Sequence, residues 1–581
     1  MLFVIKYNRY CLDLERKVMN KKWEYNEVDE NKVLEISKKY GISELLATIL
    51  VSRNIIEDKK IKVFLEPSRN DFYNPFLMPD MEIAVDRIIK AMNDKEKIVI
   101  YGDYDADGIT SIAVLKQFLE DRGMEVGYFI PNRLDEGYGL NKDAIDEIYK
   151  NGNKLMITVD CGISGIEEVD YANSLGIETI ITDHHEPLDE LPNSIAVTDA
   201  KIKTNKYPFN QLAGVGVVFK LIQAIGIKLE LPEKEYLKYL DLVCIGTISD
   251  IVPLVDENRV IAKLGLMLVE KTKNLGLKTL LDSIGYQKIN SMSVSFGIAP
   301  RINACGRMGH ADEALKLFLT KDKSEAIELT NKLNEYNKTR QDIEKKIFEE
   351  ALIKIENEDI NNKNALIIGG DNWHHGVIGI VSSKITEMYF KPSILICFEG
   401  KNGKGSGRSI PGFDLHKALC ETSNYLSKYG GHAMAVGLSL EKNKFDDFKK
   451  AFEEYADNSD IKDLVPIINI DKLITYKDLD IETVRDLEKL EPFGEANKCP
   501  LIAYKNIKID SIRVLTEGKH MKLTLKTENN NLITVMGFNM GYRAEEFLIG
   551  NKVDVVGTLE INSFNGRESV QINLKDIMKS L

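Results

Sequence analysis

Four segments of this chain each close a short apolar run with aspartate: KIVIYGDYDADG (97–108), LMITVDCG (155–162), ETIITDHHEP (178–187) and CIGTISDIVPL (244–254). Apolar runs of this length, bounded by turn residues, read as buried strands. If they are neighbouring parallel strands, Asp103, Asp105, Asp107, Asp160, Asp183, His184, His185 and Asp250 converge on one rim of a sheet, the edge where open α/β folds place their sites. Carboxylates a few ångströms apart repel one another and raise each other's pKa values. Divalent cations relieve that repulsion. Asp and His side chains around a bridging carboxylate are what two Mn²⁺ or Mg²⁺ ions ~3.5–4 Å apart require for in-line attack on phosphate. No nucleophile elbow, P-loop or GxGxxG pattern competes. The expectation is a metal-dependent phosphoester hydrolase.

DYDADG places Asp103, Asp105, Asp107 and Gly108 like the opening of a calcium-binding EF-hand loop, but the twelfth position is Val114 and the preceding IVIYG reads as strand. Alternate residues on an extended segment point the same way, so Asp105 and Asp107 are expected to face different cations from one side. The adjacent His184 and His185 diverge at a strand end, one toward metal and the other toward substrate.

At 581 residues the chain holds three to five domains on a prior of roughly 100–200 residues each. No apolar run approaches the ~18 residues that cross a bilayer, and MLFVIKYNRY is too short for a signal-peptide core. Seven scattered cysteines without a CxxC pair point to the reducing cytoplasm. The net charge of −13 opposes polyanion binding in the long-range field. Metal in the acidic cluster would offset part of it, and a local groove of Arg301, Arg307, Lys401, Lys404 and Arg408 is expected to attract phosphates.

Along the chain, residues 1–75 read as a helical N-terminal extension ending at NPFLMPD (74–80). Residues 76–310 alternate strand-like runs with helices closed by glycine, as βαβ units do. Residues 311–357 repeat Leu333, Tyr336, Arg340, Ile343, Ile347 and Ala351 at helical steps, one long linking helix. Residues 358–460 return to α/β. Residues 461–581 are short alternating strands around Asn and Gly turns, including Asn565-Gly566, and a small barrel is their natural closure.

In this order the motifs resemble the DHH phosphoesterase superfamily, whose triplet stands here as Asp183-His184-His185. LAGVGVVFKL (212–221), GTISDIVPLVDENR (246–259), APRINACGRMGHA (299–311), WHHGVIGIVSSKI (373–385), GSGRSIPGFDL (405–415) and YGGHAMAVGLSL (429–440) resemble the RecJ single-stranded-DNA exonucleases in particular. The resemblance covers about residues 80–580. Residues before about Met19 lie outside it, either as an extension or upstream of a true start at Met19.

The resemblance implies two α/β lobes joined by a long helix, a DHH domain with a parallel sheet and a DHH-associated domain, followed by an all-β oligonucleotide-binding barrel. It implies Asp105, Asp107, Asp160, His184 and Asp250 as metal ligands, with Asp160 bridging, and Asp103 and His185 close behind or facing phosphate. Ser406, Arg408 and Ser409, read as a Gly-rich loop, together with His432, Arg133, Arg301 and Arg307, are implied as phosphate contacts. The implied activity removes 5′-mononucleotides from the 5′ end of single-stranded DNA with Mn²⁺ or Mg²⁺, in repair and recombination. The implied partners are single-stranded DNA, a single-stranded-DNA-binding protein and a helicase; the protein is expected to be a monomer without membrane attachment. Phe538 and Phe564 are candidates for base stacking, with a core position the alternative for each.

This chain departs from the family at Gly407, at His375 and in VTDAK (197–201). Two alternatives stay open: a DHH phosphodiesterase of cyclic dinucleotides or short oligoribonucleotides, and a non-catalytic replication scaffold on the same fold.

Overall fold

The structure, a computed structural model, describes residues 21–132, 139–357, 363–461, 464–564 and 566–580. Cys11, Met19, Arg133, Asn565 and the side chain of Phe564 lie outside the described residues. The chain forms two compact units, Ser68–Leu464 and the paired segments Met1–Pro67 and Val465–Leu581.

The first unit opens on a five-stranded parallel sheet of β1 (Ile98–Gly102), β2 (Val126–Phe129), β3 (Leu155–Val159), β4 (Glu178–Thr182) and β5 (Ala196–Thr198), in the order β2-β1-β3-β4-β5. β1 and β3 are buried at every residue, so both read as continuous apolar runs. The strand order reverses between them, and such a switch point opens a crevice at the C-terminal ends of the strands. Three of the four aspartate-bearing runs are therefore neighbouring parallel strands, as expected.

The fourth is not. CIGTISDIVPL lies mostly in a helix. Helix α1 (Ala106–Glu120) follows β1, and beyond β5 the described regular elements up to the linking helix are helices, including α2 (Gly214–Lys228), α3 (Leu240–Ser249) and α4 (Ala299–Arg307). α2 is buried from Gly214 to Gly226, and α3 at every residue from Leu240 to Ile248. A helix buried on all sides carries no polar stripe, so its sequence looks like that of a buried strand.

The linking helix α5 (Lys323–Glu356) begins later than expected. Asp322 caps it, accepting from the Glu325 N–H at 2.9 Å, and Ala311–Leu319 is a separate helix. After α5 come β6 (Leu366–Asp371), helix α6 (His375–Tyr389), β7 (Ser393–Glu399), β8 (Asn402–Arg408), β9 (Lys428–His432) and β10 (Ala435–Glu441), whose sheet runs β9-β10-β8-β7-β6 with only β6 and β7 parallel.

GSGRS, read from sequence as a phosphate-binding loop, is largely the interior strand β8. Its backbone groups serve the ladder to β7 and β10. Its glycines answer a packing demand: a Cβ on Gly405 would stand 2.8 Å from Leu438 Cδ1 and 3.0 Å from Ile396 Cγ1. The two ends of the expected groove are well separated, because Lys401 precedes β8 and Arg408 ends it, about 23 Å apart at ~3.3 Å per residue.

The second unit is a closed barrel of β11 (Ile502–Leu515), β12 (His520–Lys526), β13 (Leu532–Gly537), β14 (Lys552–Phe564) and β15 (Arg567–Lys579), sealed by β11 pairing with both β12 and β14. The N-terminal segment is part of it rather than an extension. The strand Lys22–Tyr25 pairs in parallel with Ile467–Ile470, and Leu45, Leu46, Ile49 and Leu50 share one core with Leu523, Val535 and Val555. Helical periodicity shows that these residues need a partner but not that the partner lies more than four hundred positions away.

Leu46 is completely buried in that core. Leu46→Ala is expected to cost about 2–5 kcal/mol. In a Trp373→Phe background, Trp23, whose Nε1 donates to Asp576 Oδ2 at 2.9 Å, reports the loss as a lower unfolding midpoint of the barrel unit.

Candidate metal centre

The acidic rim forms where β1, β3 and β4 end. After β1, Asp105 becomes the N-cap of α1, its Oδ1 accepting from the Asp107 N–H at 2.9 Å and the Gly108 N–H at 3.1 Å. Asp107 therefore sits in the first helical turn, not on the extended segment expected from its spacing. Its carboxylate turns to the N-terminus of α2, where Gly214 and Val215 N–H donate at 2.7 and 2.8 Å. That helix end suits an anion. Asn303 of α4 steadies the same turn by accepting from the Ala106 N–H at 2.8 Å.

Asp160 follows β3 with φ at +59°, a left-handed conformation that costs a non-glycine residue about 1–3 kcal/mol and clusters at functional sites. A Cβ on Gly214 would stand 2.6 Å from Asp160 Oδ1, so only glycine lets α2 approach both carboxylates. His184 and His185 follow β4, and Asp250 is the C-cap of α3.

His184 Nε2 lies 3.0 Å from Asp160 Oδ1, 3.7 Å from Asp250 Oδ2 and 3.9 Å from Asp107 Oδ2. Three overlapping sets bring their ligand atoms within 4.8 Å of one another: Asp107, His184 and Asp250; Asp103, Asp105 and Asp160; and Asp160, His184 and His185. Seven of the eight residues expected at this rim are thus gathered, with Asp160 and His184 shared between sets, and the eighth, Asp183, stands behind His185.

The electrostatics follow from that crowding. Burial, then the charges of Asp250 and Asp105, holds Asp107 well above the usual carboxylate range; burial, then Asp107 and its neighbours, does the same to Asp160. Burial, with Asp105, pushes Asp250 up to about 7. Burial, with the charge of His185, pushes His184 down to about 3. His184 is therefore neutral, the ligand form of imidazole, and its Nε2 makes no hydrogen bond.

A lone-pair nitrogen 3.0 Å from a carboxylate oxygen is stable only with a proton or a cation nearby. Carboxylates plus a neutral imidazole, with the neighbouring Cys161 thiol pushed up by burial and kept protonated, suit hard or borderline dications such as Mg²⁺ and Mn²⁺.

His185 behaves differently from its neighbour. Its Nδ1 meets Asp183 Oδ1 at 2.7 Å. Burial would raise Asp183, but the His185 hydrogen bond and charge and the Ile163 N–H outweigh it and hold the carboxylate low. Burial would lower His185, but Asp183 outweighs it and holds the imidazole up. Two adjacent histidines are thus shifted in opposite directions.

The expected phosphate contacts are more dispersed. Ser406 and Arg408 project from β8 toward α6, where a Cβ on Gly379 would meet Ser406 Oγ at 3.0 Å and Arg408 Nη2 at 3.2 Å. Ser409 is buried, its hydroxyl donating to the Phe413 carbonyl at 2.7 Å, which leaves it a structural residue rather than a phosphate contact. His432 is exposed on β9. Arg307 Nη1 donates to the Gly376 carbonyl of α6 at 2.7 Å, tying the two α/β lobes together, and Arg301 is held by Asn334 and the Gly297 carbonyl. In the barrel Phe538 is 51% exposed, which rules out its core reading.

Sequence reasoning named Asp183 without a role and missed four supports: the Gly214 and Val215 N–H groups, Asn303, and a buried pair behind α2. Lys220 Nζ meets Glu257 Oε1 at 2.7 Å with both side chains fully buried, and also donates to the Tyr73 carbonyl at 2.7 Å, while Tyr207 bonds the other Glu257 oxygen. The signal was present, since LAGVGVVFKL contains one charged residue, Lys220, and GTISDIVPLVDENR contains Glu257 among those that metal binding leaves unexplained.

Comparison with known proteins agrees with this arrangement. The model of the DHH family N-terminal domain matches residues 97–247, the DHHA1 domain model residues 362–458, and the RecJ OB domain model residues 470–576. The parallel sheet and its acidic rim thus define a DHH-class protein. The single-stranded-DNA-specific exonuclease RecJ of Bacillus subtilis is 39% identical across 96% of this chain and 70% of its own length. Crystal structures of Thermus thermophilus RecJ in complex with Mn²⁺ and with Mg²⁺ superpose with TM-scores of 0.85 and 0.79, at 30% and 28% identity, covering 96% of this chain and 80% and 79% of theirs. The chain belongs to the RecJ family of single-stranded-DNA-specific exonucleases.

Two outcomes are expected here. Cation binding must displace protons, so Mn²⁺ affinity by titration calorimetry falls below pH 7 as Asp250 becomes protonated, roughly tenfold per pH unit for each proton released. Gly214→Ala drives a methyl into Asp160 and weakens the same affinity, while circular dichroism stays unchanged.

Proposed function

We propose that this protein is a metal-dependent exonuclease that degrades single-stranded DNA from the 5′ end to 5′-mononucleotides in repair and recombination. The observation that carries the reading is a neutral His184 facing Asp160, Asp107 and Asp250 on a rim that also gathers Asp103 and Asp105. In this reading Asp105, Asp107, Asp160, His184 and Asp250 would hold two divalent cations, Mn²⁺ or Mg²⁺, with Asp160 the ligand that belongs to two of the sets. When bound, the cations lower the pKa of water and stabilise charge on the phosphate oxygens.

The chain's own residues do the rest. Asp183 fixes the His185 ring through Nδ1, which leaves Nε2 as the nitrogen able to give a hydrogen bond or a proton to a phosphate oxygen. Gly214 and Val215 N–H keep Asp107 aimed, and Asn303 keeps the Asp105 turn in place. Arg408 and Ser406 on β8, with Arg301, Arg307, Arg133 and His432, act on the sugar-phosphate chain. Contacts to phosphate position a strand without reading its bases, so recognition is sequence-tolerant.

The closed barrel and the complete donor set favour this over the cyclic-dinucleotide and scaffold alternatives. The same reading makes the protein a cytoplasmic monomer cooperating with a single-stranded-DNA-binding protein and a helicase. Its six described cysteines are all unbridged, which suits a reducing compartment, and no described helix is long and apolar enough to cross a membrane.

Incubation with single-stranded DNA, blunt duplex, dinucleotides and cyclic dinucleotides, with Mn²⁺ or chelator, is expected to yield 5′-mononucleotides from the single strand only when metal is present. Asp160→Ala and Asp250→Ala are expected to abolish that hydrolysis, by at least about a thousandfold, with the fold intact by circular dichroism. Wild-type turnover by either variant removes the metal assignment.

A further inference from the structure

GTISDIVPLVDENR ends in three consecutive polar residues withdrawn from solvent, Glu257 and Asn258 at 0% exposure and Arg259 at 1%. They lie in the first turn of the helix Asp256–Val269, which packs against α3. Burying a polar group costs stability unless a partner satisfies it. Glu257 has Lys220, Tyr207 and the Tyr73 N–H. Asn258 has two backbone carbonyls: its Nδ2 donates to Gln211 O at 2.6 Å and to Pro253 O at 3.1 Å. Both partners are acceptors, so only the NH₂ end of the amide can face them. An asparagine that merely capped its own helix would bond within it, whereas Gln211 is 47 positions away.

The two carbonyls belong to the two segments that close the metal centre from its helical side. Gln211 precedes Leu212, whose backbone accepts a hydrogen bond from the His184 ring. Three residues after Gln211 comes Gly214, whose N–H, with that of Val215, holds Asp107. Pro253 follows Asp250 by three residues. One amide thus joins the segments that govern Asp107, His184 and Asp250, a set whose ligand atoms all lie within 4.8 Å of one another.

The second of these segments needs holding. Ile251, next to Asp250, sits at φ +60° and is 71% exposed. The left-handed region is an outlier for a β-branched residue, and an exposed side chain offsets none of that cost by packing. The turn after Asp250 is therefore fixed from further along the chain, by Asn258 at the Pro253 carbonyl and by the buried Leu254 beside it.

We infer that Asn258 is a positioning residue of the metal centre, its amide setting the distance between Asp250 and the N-terminus of α2 so that Asp107, His184 and Asp250 stay within reach of one cation. The inference rests on the metal-centre reading above and deepens it. A side chain that orients ligands through their backbone acts on metal affinity without touching metal or strand.

The test uses the full-length protein with Asn258→Ala, with Asn258→Ser, which keeps one donor, and with Leu280→Ala. Leu280 is completely buried on the helix Leu275–Ile284, which carries none of the ligands. Titration calorimetry with Mn²⁺ separates the two kinds of lesion: lost positioning raises Kd at unchanged stoichiometry, whereas lost folding lowers the stoichiometry at unchanged Kd. Asn258→Ala is expected to weaken Mn²⁺ binding roughly 10- to 100-fold and Asn258→Ser by less, while Leu280→Ala keeps the wild-type Kd. In turnover the Asn258→Ala deficit is expected to shrink as Mn²⁺ is raised, with KM for the strand unchanged. A wild-type Kd in Asn258→Ala, or an equal rise in Leu280→Ala, overturns the assignment; where Asn258→Ala does not fold, Asn258→Ser decides in the same way.

A second readout needs no metal. In chelator, hydrogen–deuterium exchange at the N–H groups of residues 212–215 and 250–254 is expected to be faster in Asn258→Ala than in wild type, with β1 and β3 unchanged. If wild type binds no Mn²⁺, the metal reading fails while faster exchange in both segments still upholds the positioning role; unchanged exchange in either segment overturns that role even where wild type binds metal.

Discussion

Repulsion among buried carboxylates is the constraint on which the rest of this structure depends. Asp107, Asp160 and Asp250 surround one imidazole nitrogen at 3.0 to 3.9 Å, and burial with mutual charge holds all three carboxyls above their usual range. Such a cluster opposes folding unless cations or protons neutralise it. The surrounding elements are arranged to hold the charges in place. The N-terminus of α2 points two N–H groups at Asp107, Gly214 gives Asp160 room, and Asp160 itself adopts a left-handed backbone at the end of β3.

Behind the same helix lies a buried ion pair. Lys220 and Glu257 are fully buried against each other, with Tyr73 and Tyr207 satisfying the remaining polar atoms. A buried pair of this kind adds little net stability over an apolar replacement, but losing one partner strands the other charge. Its clearest service here is to fix one helix in one register, which keeps the Gly214 and Val215 N–H groups aimed. Asp183 serves His185 on the same principle, since a carboxylate that accepts three backbone N–H groups also fixes the ring that meets it.

Much of the site was legible because its signals are local. An apolar run ending in Asp or His marks a buried strand and its exit, and this places Asp103, Asp160 and His184 correctly. The same logic assigned Asp250 to a strand, although it ends the helix α3, because an element buried on all sides shows no periodicity that separates the two. GSGRS was misread for a related reason. Glycine signals a loop when the chain must turn, but Gly405 is there because Leu438 and Ile396 occupy the space above it. The N-terminal helices carry a clear apolar stripe that does not say which core receives it.

Residue type and short-range pattern therefore picked out the candidate donor residues, the strand exits and the alternation of α/β and β segments, since each is written within a few neighbouring positions. Tertiary structure alone decided which oxygen meets His184, which helix end cradles Asp107, that the Asn258 amide joins Gln211 to Pro253, and that residues 30–65 complete a barrel begun near residue 470. These are contacts between positions tens to hundreds of residues apart. They are set by packing and burial across the whole fold, quantities to which no local window of sequence has access.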